Sequence, residues 1–112
     1  MGIQYQKSEL EKMFDSNVIE INPDESYMYV KTDQYNIQLI ITVLIYEYTC
    51  KVSLCDQTNT EWVLFDAEIS NIHSIKRDTL NSSALTFFDD KRNVLVKIFL
   101  LPQIRIQFMQ IM

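Results

Sequence analysis

The 112-residue sequence predicts a mainly β protein, either an antiparallel sandwich or a partly open barrel of about seven or eight strands, with one short N-terminal helix. Three observations predict this fold class. Short stretches with the alternating apolar pattern of a strand recur along most of the chain. Clusters of turn-forming Asn, Asp, Ser and Pro separate them, and one segment alone has helical periodicity. No linker or change in composition divides the sequence, so residues 1–112 are expected to form a single domain.

The predicted helix begins at Ser8. Ser8 and Glu11 have the spacing of a capping box, in which the hydroxyl and the carboxylate each accept a hydrogen bond from a free amide of the first turn. Three apolar residues at helical spacing then share one face: Leu10, Met13 and Phe14. The helix is short and therefore needs to pack against the rest of the chain to persist.

Four strands are predicted in the first half of the chain, at Val18–Ile21, Tyr27–Thr32, Ile37–Tyr48 and Lys51–Cys55. A turn at residues 22–25 separates the first two, because Pro23 fixes φ and the Asn and Asp side chains bind local backbone groups. Ile37–Tyr48 carries apolar residues on both of its faces. This pattern is typical of a central strand that is covered on two sides.

The second half is predicted to contain strands at Glu61–Ile69, Ala84–Phe88, Asn93–Leu101 and Ile104–Phe108. Asp89–Arg92 predicts a hairpin turn, since Asp tolerates the left-handed backbone region that tight turns need. Residues 69–76 are ambiguous. Their apolar side chains are spaced three apart, which fits a helical turn or a bulged strand, and we favour extended structure.

A single glycine, Gly2, is present, and this excludes several classes of site. Phosphate-binding loops, dinucleotide-binding turns, G-x-S-x-G nucleophile elbows and EF-hand loops all require glycine for a positive φ or for close backbone approach. Every turn after Gly2 must be formed by other residues, of which Asn, Asp, Ser and Pro are the usual ones. A function on the protein surface is therefore favoured over one in a glycine-built site.

Catalytic and metal-binding residues are also scarce. His73 is the only histidine, and nothing in the sequence pairs it with a cysteine or serine nucleophile. Cys50 and Cys55 are too few for a zinc site, and their odd spacing on one strand points them to opposite faces, which argues against a disulfide. We therefore expect a protein that is not an enzyme, with no catalytic residues, no cofactor and no metal site.

Two pairs of acidic residues leave one question open. Asp66 and Glu68 share a face of one predicted strand. Asp89 and Asp90 are adjacent in a predicted turn, and oxygens from either pair would suit a hard cation. The sequence alone does not bring the pairs together. Solvated surface acids are the simpler interpretation, because Asp and Glu are seldom buried.

The charge is distributed unevenly between the two halves. The chain carries 15 acidic and 10 basic residues, a net charge of −5. Residues 1–56 hold nine acids and four bases, a net charge of −5, whereas residues 57–112 hold six of each. An acidic surface attracts basic proteins and repels nucleic-acid phosphates. We therefore expect a basic protein partner and no binding to nucleic acid.

Tyrosines accompany these acids. Tyr27 and Tyr29 share one face of a predicted strand directly after an acidic turn. Tyrosine and carboxylate side chains are common in protein interfaces, because Tyr brings a large contact area at a low entropic cost. The predicted partner-binding residues are Glu20, Asp24, Glu25, Tyr27, Tyr29, Asp33 and Tyr35.

Two further features concern assembly and location. The apolar stretch Ile104–Met112 is terminal, so an edge position would let it pair with a second copy and form a homodimer. The longest apolar run, Ile37–Tyr46, is half the length that a membrane helix needs. Met1–Phe14 lacks the pattern of a signal peptide. We expect a cytoplasmic protein without membrane contact.

The second half has a recognisable order of strands, in Trp62–Phe65, Ile69–Ile75, Leu85–Phe88, Asn93–Leu101 and Pro102–Phe108. This order resembles small β-rich immunity proteins encoded beside bacterial polymorphic toxins. The resemblance implies a cytoplasmic inhibitor that masks a cognate toxin, with an acidic surface because many such toxins are basic. It rests on strand order and carries no functional residues across.

The leading hypothesis is therefore a non-enzymatic, protein-binding inhibitor of the toxin-immunity or phage anti-defence type, which masks a basic partner with an acidic, tyrosine-bearing surface. The alternative is a small β-barrel that binds a hydrophobic ligand or acts as a structural homo-oligomer. The alternative rests on the abundance of aliphatic and aromatic residues in the predicted strands.

Overall fold

The structure, a computed structural model, describes residues 2–15, 17–22, 25–58, 62–80 and 83–109. Within these residues it contains one α-helix, one 3-10 turn and nine strands. The helix is α1 (Lys7–Met13), and the 3-10 turn spans Ile45–Glu47. The strands are β1 (Val18–Asn22), β2 (Ser26–Thr32), β3 (Ile37–Leu44), β4 (Thr49–Asp56), β5 (Val63–Ile69), β6 (Ser74–Arg77), β7 (Ala84–Phe88), β8 (Val94–Phe99) and β9 (Arg105–Phe108).

The strands form two antiparallel sheets, and the predicted mainly β, sandwich-like fold is confirmed. The large sheet has the order β1-β2-β3-β4-β5 and the small sheet the order β6-β7-β8-β9. Each strand therefore pairs with its neighbour in sequence, and the sheets do not close into a barrel. None of the described helices is long and apolar enough to cross a membrane.

The ambiguous segment at residues 69–76 is extended, as favoured from the sequence. Its second part is β6, which brings the strands to nine. The N-terminal segment holds β6 in place, because Gln4 N donates to His73 O at 2.9 Å and Ile75 N donates to Gln4 O at 3.0 Å. Gln4 and Ser74 thus form an isolated parallel bridge.

One contiguous apolar core contains residues of both sheets and of α1. In the large sheet the register pairs Tyr27 with Val43 and Tyr29 with Ile41, and all four side chains face inward. Burying one such aliphatic or aromatic side chain stabilises the fold by about 1.5–3 kcal/mol. The small sheet, the helix and its C-cap contribute Leu10, Phe14, Ile75, Leu85, Phe87, Val96 and Ile98.

The start of the helix differs from the prediction. The helix begins at Lys7 with Gln6 as its N-cap, and no side chain caps it. Ser8 already lies inside the first turn, so the predicted capping box with Glu11 is wrong. The predicted apolar face is confirmed by the complete burial of Leu10 and Phe14, and the Phe14 ring lies 5.7 Å from that of Tyr29.

The predicted strand Ile37–Tyr48 is shorter and less covered than expected. β3 ends at Leu44, the 3-10 turn follows, and Tyr48 adopts the left-handed conformation with φ of 52°. β3 is central, between β2 and β4, but only its inner face is fully buried. The outward side chains, among them Ile40, are only half-buried. The prediction that both faces of β3 are covered is therefore wrong for the described part of the chain.

The glycine-free turns use the left-handed region at five described residues. Three of them are the expected types, Asp15, Asn36 and Asn71, whereas Tyr48 and Arg92 are exceptions. Gly2 has φ of 115°, and a Cβ added there would lie 2.8 Å from Ile45 O. A side chain at position 2 would therefore collide with the backbone of the 3-10 turn.

A candidate protein-binding surface

Tyr27 and Tyr29 lie in the core, which corrects their prediction as exposed partner-binding residues. Tyr29 is fully buried and Tyr27 is 5% exposed, because the pleat of β2 points both rings inward. Tyr29 Oη lies 3.1 Å from Tyr5 Oη, and burial raises the pKa of Tyr29. Lys7 Nζ donates to Tyr27 Oη at 2.5 Å. These tyrosines join the helix to the large sheet.

Asp33 organises a turn. Its Oδ1 accepts hydrogen bonds from Tyr35 N at 2.8 Å and Ile37 N at 3.1 Å, and its Oδ2 accepts from Ile104 N at 3.1 Å. The carboxylate thus joins the β2–β3 turn to the start of the last strand. Tyr35, by contrast, is 60% exposed.

The remaining predicted residues do not form one surface. Glu25 and Asp33 stand at opposite ends of β2, about 26 Å apart at 3.3 Å per residue. Glu20 is exposed on the edge strand β1. Asp24 lies outside the described residues. The structure therefore divides the predicted acidic surface into separate regions.

The outer face of the large sheet carries an aliphatic surface. Register places Ile19 beside Met28 and Val30 beside Ile40, all on the side opposite the core. Ile19 is 55% exposed and the others are half-buried. We call the outward aliphatic residues of β1, β2 and β3 the aliphatic face: Ile19, Met28, Val30, Ile40 and Leu44.

Polar side chains continue this outer face across β4 and β5. Ser53 Oγ donates to Asp66 Oδ1 at 2.9 Å, and Lys51 stands opposite Glu68. Asp66 and Glu68 are therefore on one face, as predicted, with a lysine beside them. Among the described residues, no group of three or more His, Cys, Asp or Glu is arranged to hold a metal ion.

The second predicted carboxylate pair is also divided. Asp89 lies in the β7–β8 turn and accepts hydrogen bonds from Lys91 N at 2.9 Å and Asn93 N at 2.8 Å. Burial opposes ionisation of Asp89, but the bonds from Asn93 and Lys91 outweigh it and lower the pKa of this carboxyl. Asp90 is exposed in the same turn. The predicted hairpin is confirmed, with Asp89 as its structural residue.

A cavity of about 300 Å³ lies at one end of the large sheet, where the β1–β2 and β3–β4 connections meet. Ile45 N donates to Glu25 O at 2.9 Å and joins the two connections. Leu44 is shared between this cavity and the aliphatic face. We call it the acidic cavity, and it is lined by Asn22, Glu25, Ser26, Leu44, Tyr46 and Glu47.

The sequence points to Glu25 but gives no direct sign that Tyr46 and Glu47 are its neighbours. Both residues lay inside the predicted strand Ile37–Tyr48. A strand of that length is about twice the usual one, which signals a break within it. The break is the 3-10 turn that brings Glu47 into the same cavity as Glu25.

Comparison with known proteins identifies one structural neighbour. No protein-family model and no curated protein matches the sequence. The fold is similar to a chain of the contact-dependent growth inhibition toxin–immunity protein complex from Klebsiella pneumoniae 342. The TM-score is 0.68, with 16% sequence identity over 96% of each chain. The predicted resemblance to proteins of a toxin–immunity system is thereby confirmed at the level of the fold.

The outer face of the small sheet differs from the aliphatic face. Arg105 lies over the ring of Phe99 at 4.4 Å, and Lys76 lies 6.0 Å from the ring of Phe88. Lys97 Nζ forms an ion pair with an Asp78 carboxylate at 2.9 Å. Cationic side chains of the same sheet therefore cover its outward aromatic rings.

The histidine and the cysteines have structural surroundings. The His73 ring stacks on Tyr48 at 4.5 Å, and its Nε2 lies 3.1 Å from Asn71 Oδ1. Cys50 is buried, Cys55 is half-buried, and both are free thiols, as the spacing predicted. Burial raises the pKa of the Cys50 thiol, which keeps it in its less nucleophilic form.

Proposed function

We propose that this chain is a protein-binding inhibitor of the toxin-immunity type, which acts in the cytoplasm without catalysis by masking a basic partner protein. The observation that carries the proposal is the fold shared, over 96% of both chains, with a chain of a toxin–immunity protein complex. A phage anti-defence inhibitor belongs to the same physical class, with a different target.

The outer face of the large sheet is the proposed contact surface. Exposed aliphatic side chains such as Ile19 gain free energy when a partner removes them from water. The exposed carboxylates of Glu20, Glu25 and Glu47 lie on the same sheet or at its end. They give this part of the molecule the negative potential that speeds encounter with a basic protein.

Co-purification from the native host tests the proposal. We expect the wild-type chain to retain one basic protein at a fixed stoichiometry, and the double variant Ile19→Lys/Ile40→Lys to lose it. The matched control is Gln103→Lys/Gln107→Lys, which adds the same charge at exposed positions beside the small sheet. Absence of a specific partner for the wild-type chain, or equal loss in both variants, contradicts the proposal.

Self-association through the last strand stays a prediction. β9 is an edge of the small sheet, and Phe108 and Met109 are exposed there, while residues 110–112 lie outside the described part of the chain. Light scattering coupled to size exclusion measures the mass directly. A homodimer that Met109→Lys dissociates supports pairing through β9, and a monomer at all concentrations contradicts it.

A further inference from the structure

We propose that a second cavity, at the opposite end of β2 from the acidic cavity, is a binding site for a short aliphatic carboxylate. The inference does not depend on the proposed function, because this cavity is not part of the proposed contact surface. The volume of the cavity is about 300 Å³. We call it the basic cavity, and its lining includes Lys12, Met13, Asp15, Lys31, Arg77 and Leu101.

Two of its cations occupy inner-face positions, one in each sheet. Register pairs Lys31 with Leu39 in the large sheet and Arg77 with Leu85 in the small sheet. Both leucines are fully buried, and residues directly opposite each other in an antiparallel pair share a face. Lys31 and Arg77 therefore stand where the rest of the core has apolar side chains. This end of the sandwich is lined with positive charge from both layers.

The charge of the basic cavity is opposite to that of the chain. The sequence contains 15 acids and 10 bases, so acids are the commoner charged residues. Among the described residues that line the cavity, three are basic and only Asp15 is acidic. Like charges around one cavity repel each other, and a bound anion relieves that repulsion. The reversed ratio indicates a site for an anion.

Lys31 is the most buried of the three cations. Its side chain is 14% exposed, and its Nζ donates to Asp15 Oδ2 at 2.5 Å. A charged lysine this far from water costs free energy unless its charge is balanced. The Asp15 side chain is 68% exposed, and an ion pair with an exposed carboxylate is weakened by solvent screening. A second anion beside Lys31 therefore stabilises its charge further.

The contact between α1 and β6 fixes the positions of the other two cations. Arg77 N donates to Glu9 Oε1 at 3.1 Å, which joins the helix to the edge of the small sheet. Lys12 lies in the last turn of the same helix, where the helix dipole favours a cation. The Glu9 side chain lines a neighbouring cavity instead. The cations are thus held in place before a ligand arrives, which lowers the entropic cost of binding.

The apolar part of the lining selects the class of anion. Met13, Leu100 and Leu101 line the cavity beside the cations, and Leu101 is 51% exposed. An aliphatic chain gains free energy by covering such a side chain. The guanidinium of Arg77 suits the two oxygens of a carboxylate. The volume is at the lower limit of sites for small ligands, so a short carboxylate fits better than a long one.

A titration with defined probes tests the site. Sodium hexanoate is added to isotope-labelled protein at constant ionic strength, and the amide resonances are followed by NMR. We expect saturable changes at residues 12–15, 31, 77 and 100–101. Hexanamide, which has nearly the same shape without the charge, should cause no such changes. Inorganic phosphate, which has the charge without the aliphatic chain, should bind more weakly than hexanoate.

Variants locate the effect. Lys12→Gln/Arg77→Gln should weaken binding of hexanoate about tenfold, because charge-assisted hydrogen bonds are lost. The control Lys51→Gln/Lys91→Gln removes the same charge at exposed positions outside the basic cavity and should leave binding unchanged. Thermal unfolding verifies that the variants are folded. If the first double variant is not folded, Lys12→Gln alone should still weaken binding about threefold.

Four outcomes overturn the site: no saturable change at the basic cavity, equal responses to hexanoate and hexanamide, binding of phosphate as tight as that of hexanoate, or equal weakening by both double variants. A saturable response to hexanoate that needs its charge, and that the variants of the cavity alone weaken, supports it.

Discussion

The outer faces of the two sheets differ in how their apolar side chains are covered. On the small sheet, Arg105 and Lys76 lie over the rings of Phe99 and Phe88. On the large sheet, aliphatic residues such as Ile19 and Ile40 remain exposed or half-exposed. The small sheet thus covers two outward rings with its own cations, whereas the outer face of the large sheet presents apolar area that a partner can bury.

The acidic side chains differ in the same way. The carboxylate of Asp89, in a turn of the small sheet, accepts backbone hydrogen bonds and therefore stabilises the fold. Glu25 and Glu47, at the end of the large sheet, line a cavity without such bonds. Carboxylates with hydrogen-bond partners inside the molecule stabilise the fold. Carboxylates without such partners are available to bind another molecule.

The largest expected effect separates the two faces of one strand. Ile41→Ala should lower the free energy of unfolding by about 2–5 kcal/mol, because Ile41 is fully buried and its loss leaves a cavity. Ile40→Ala, one residue away on the aliphatic face, should cost about 1 kcal/mol or less. Urea unfolding of both variants measures the difference, and equal losses would show that the outer face is covered after all.

The next effect concerns the N-terminal segment, which packs on the turn beside the acidic cavity. Gly2→Ala should destabilise the protein by about 2 kcal/mol, because the added Cβ meets Ile45 and the φ of 115° disfavours a side chain. Calorimetric unfolding measures the loss. Gln6→Ala is the control, at an exposed position without a side-chain cap bond. A variant at position 2 as stable as the wild type would contradict this packing.

A smaller effect tests the covering of the small sheet. Arg105→Ala should lower the free energy of unfolding by about 0.5–1 kcal/mol, since it removes a cation from the face of Phe99. The substitution also uncovers the Phe99 ring, so binding of a hydrophobic dye should increase. Gln107→Ala, on the same strand and also exposed, should change neither quantity. Equal unfolding free energies and equal dye binding of the two variants would show that Arg105 does not cover the Phe99 ring.

The smallest effect is a difference in pH dependence. The folded-state pKa of Asp89 is lowered, so its ionisation contributes stability above the unfolded pKa of about 4, and that contribution is lost as pH falls through the folded pKa. Asp89→Asn keeps a turn-forming side chain and should unfold with a weaker dependence on acid. Denaturant unfolding of the wild type and of Asp89→Asn in a pH series measures the difference, and identical acid dependence of the two would contradict this role of Asp89.

Much of the fold follows from local patterns in the sequence. The alternation at residues 104–108 and the turn at residues 89–92 predicted a strand and a hairpin, because strand period and turn chemistry are local properties. The period of two in a strand also predicted that Tyr27 and Tyr29 share a face of β2. It does not show which face is inward, since that depends on the second sheet.

The candidate site is harder to predict from sequence. The acidic cavity joins Glu25 to Tyr46 and Glu47, which lie more than twenty residues away along the chain. The apolar outer face of β3 suggested a covered strand, since apolar residues usually indicate burial. None of the residues that the structure describes covers that face, and this departure from the usual burial of apolar residues coincides with the proposed binding surface.

The bridge between Gln4 and Ser74 joins residues that are far apart in sequence, so it can form only late in synthesis. Sheet pairing is otherwise sequential, so each hairpin can form soon after its strands emerge from the ribosome. The N-terminal residues are made first, yet their partners Ile45 and Ser74 are made much later. The N-terminal segment therefore reaches its place only after β6 has been made, and a fusion at this end would interfere with that packing.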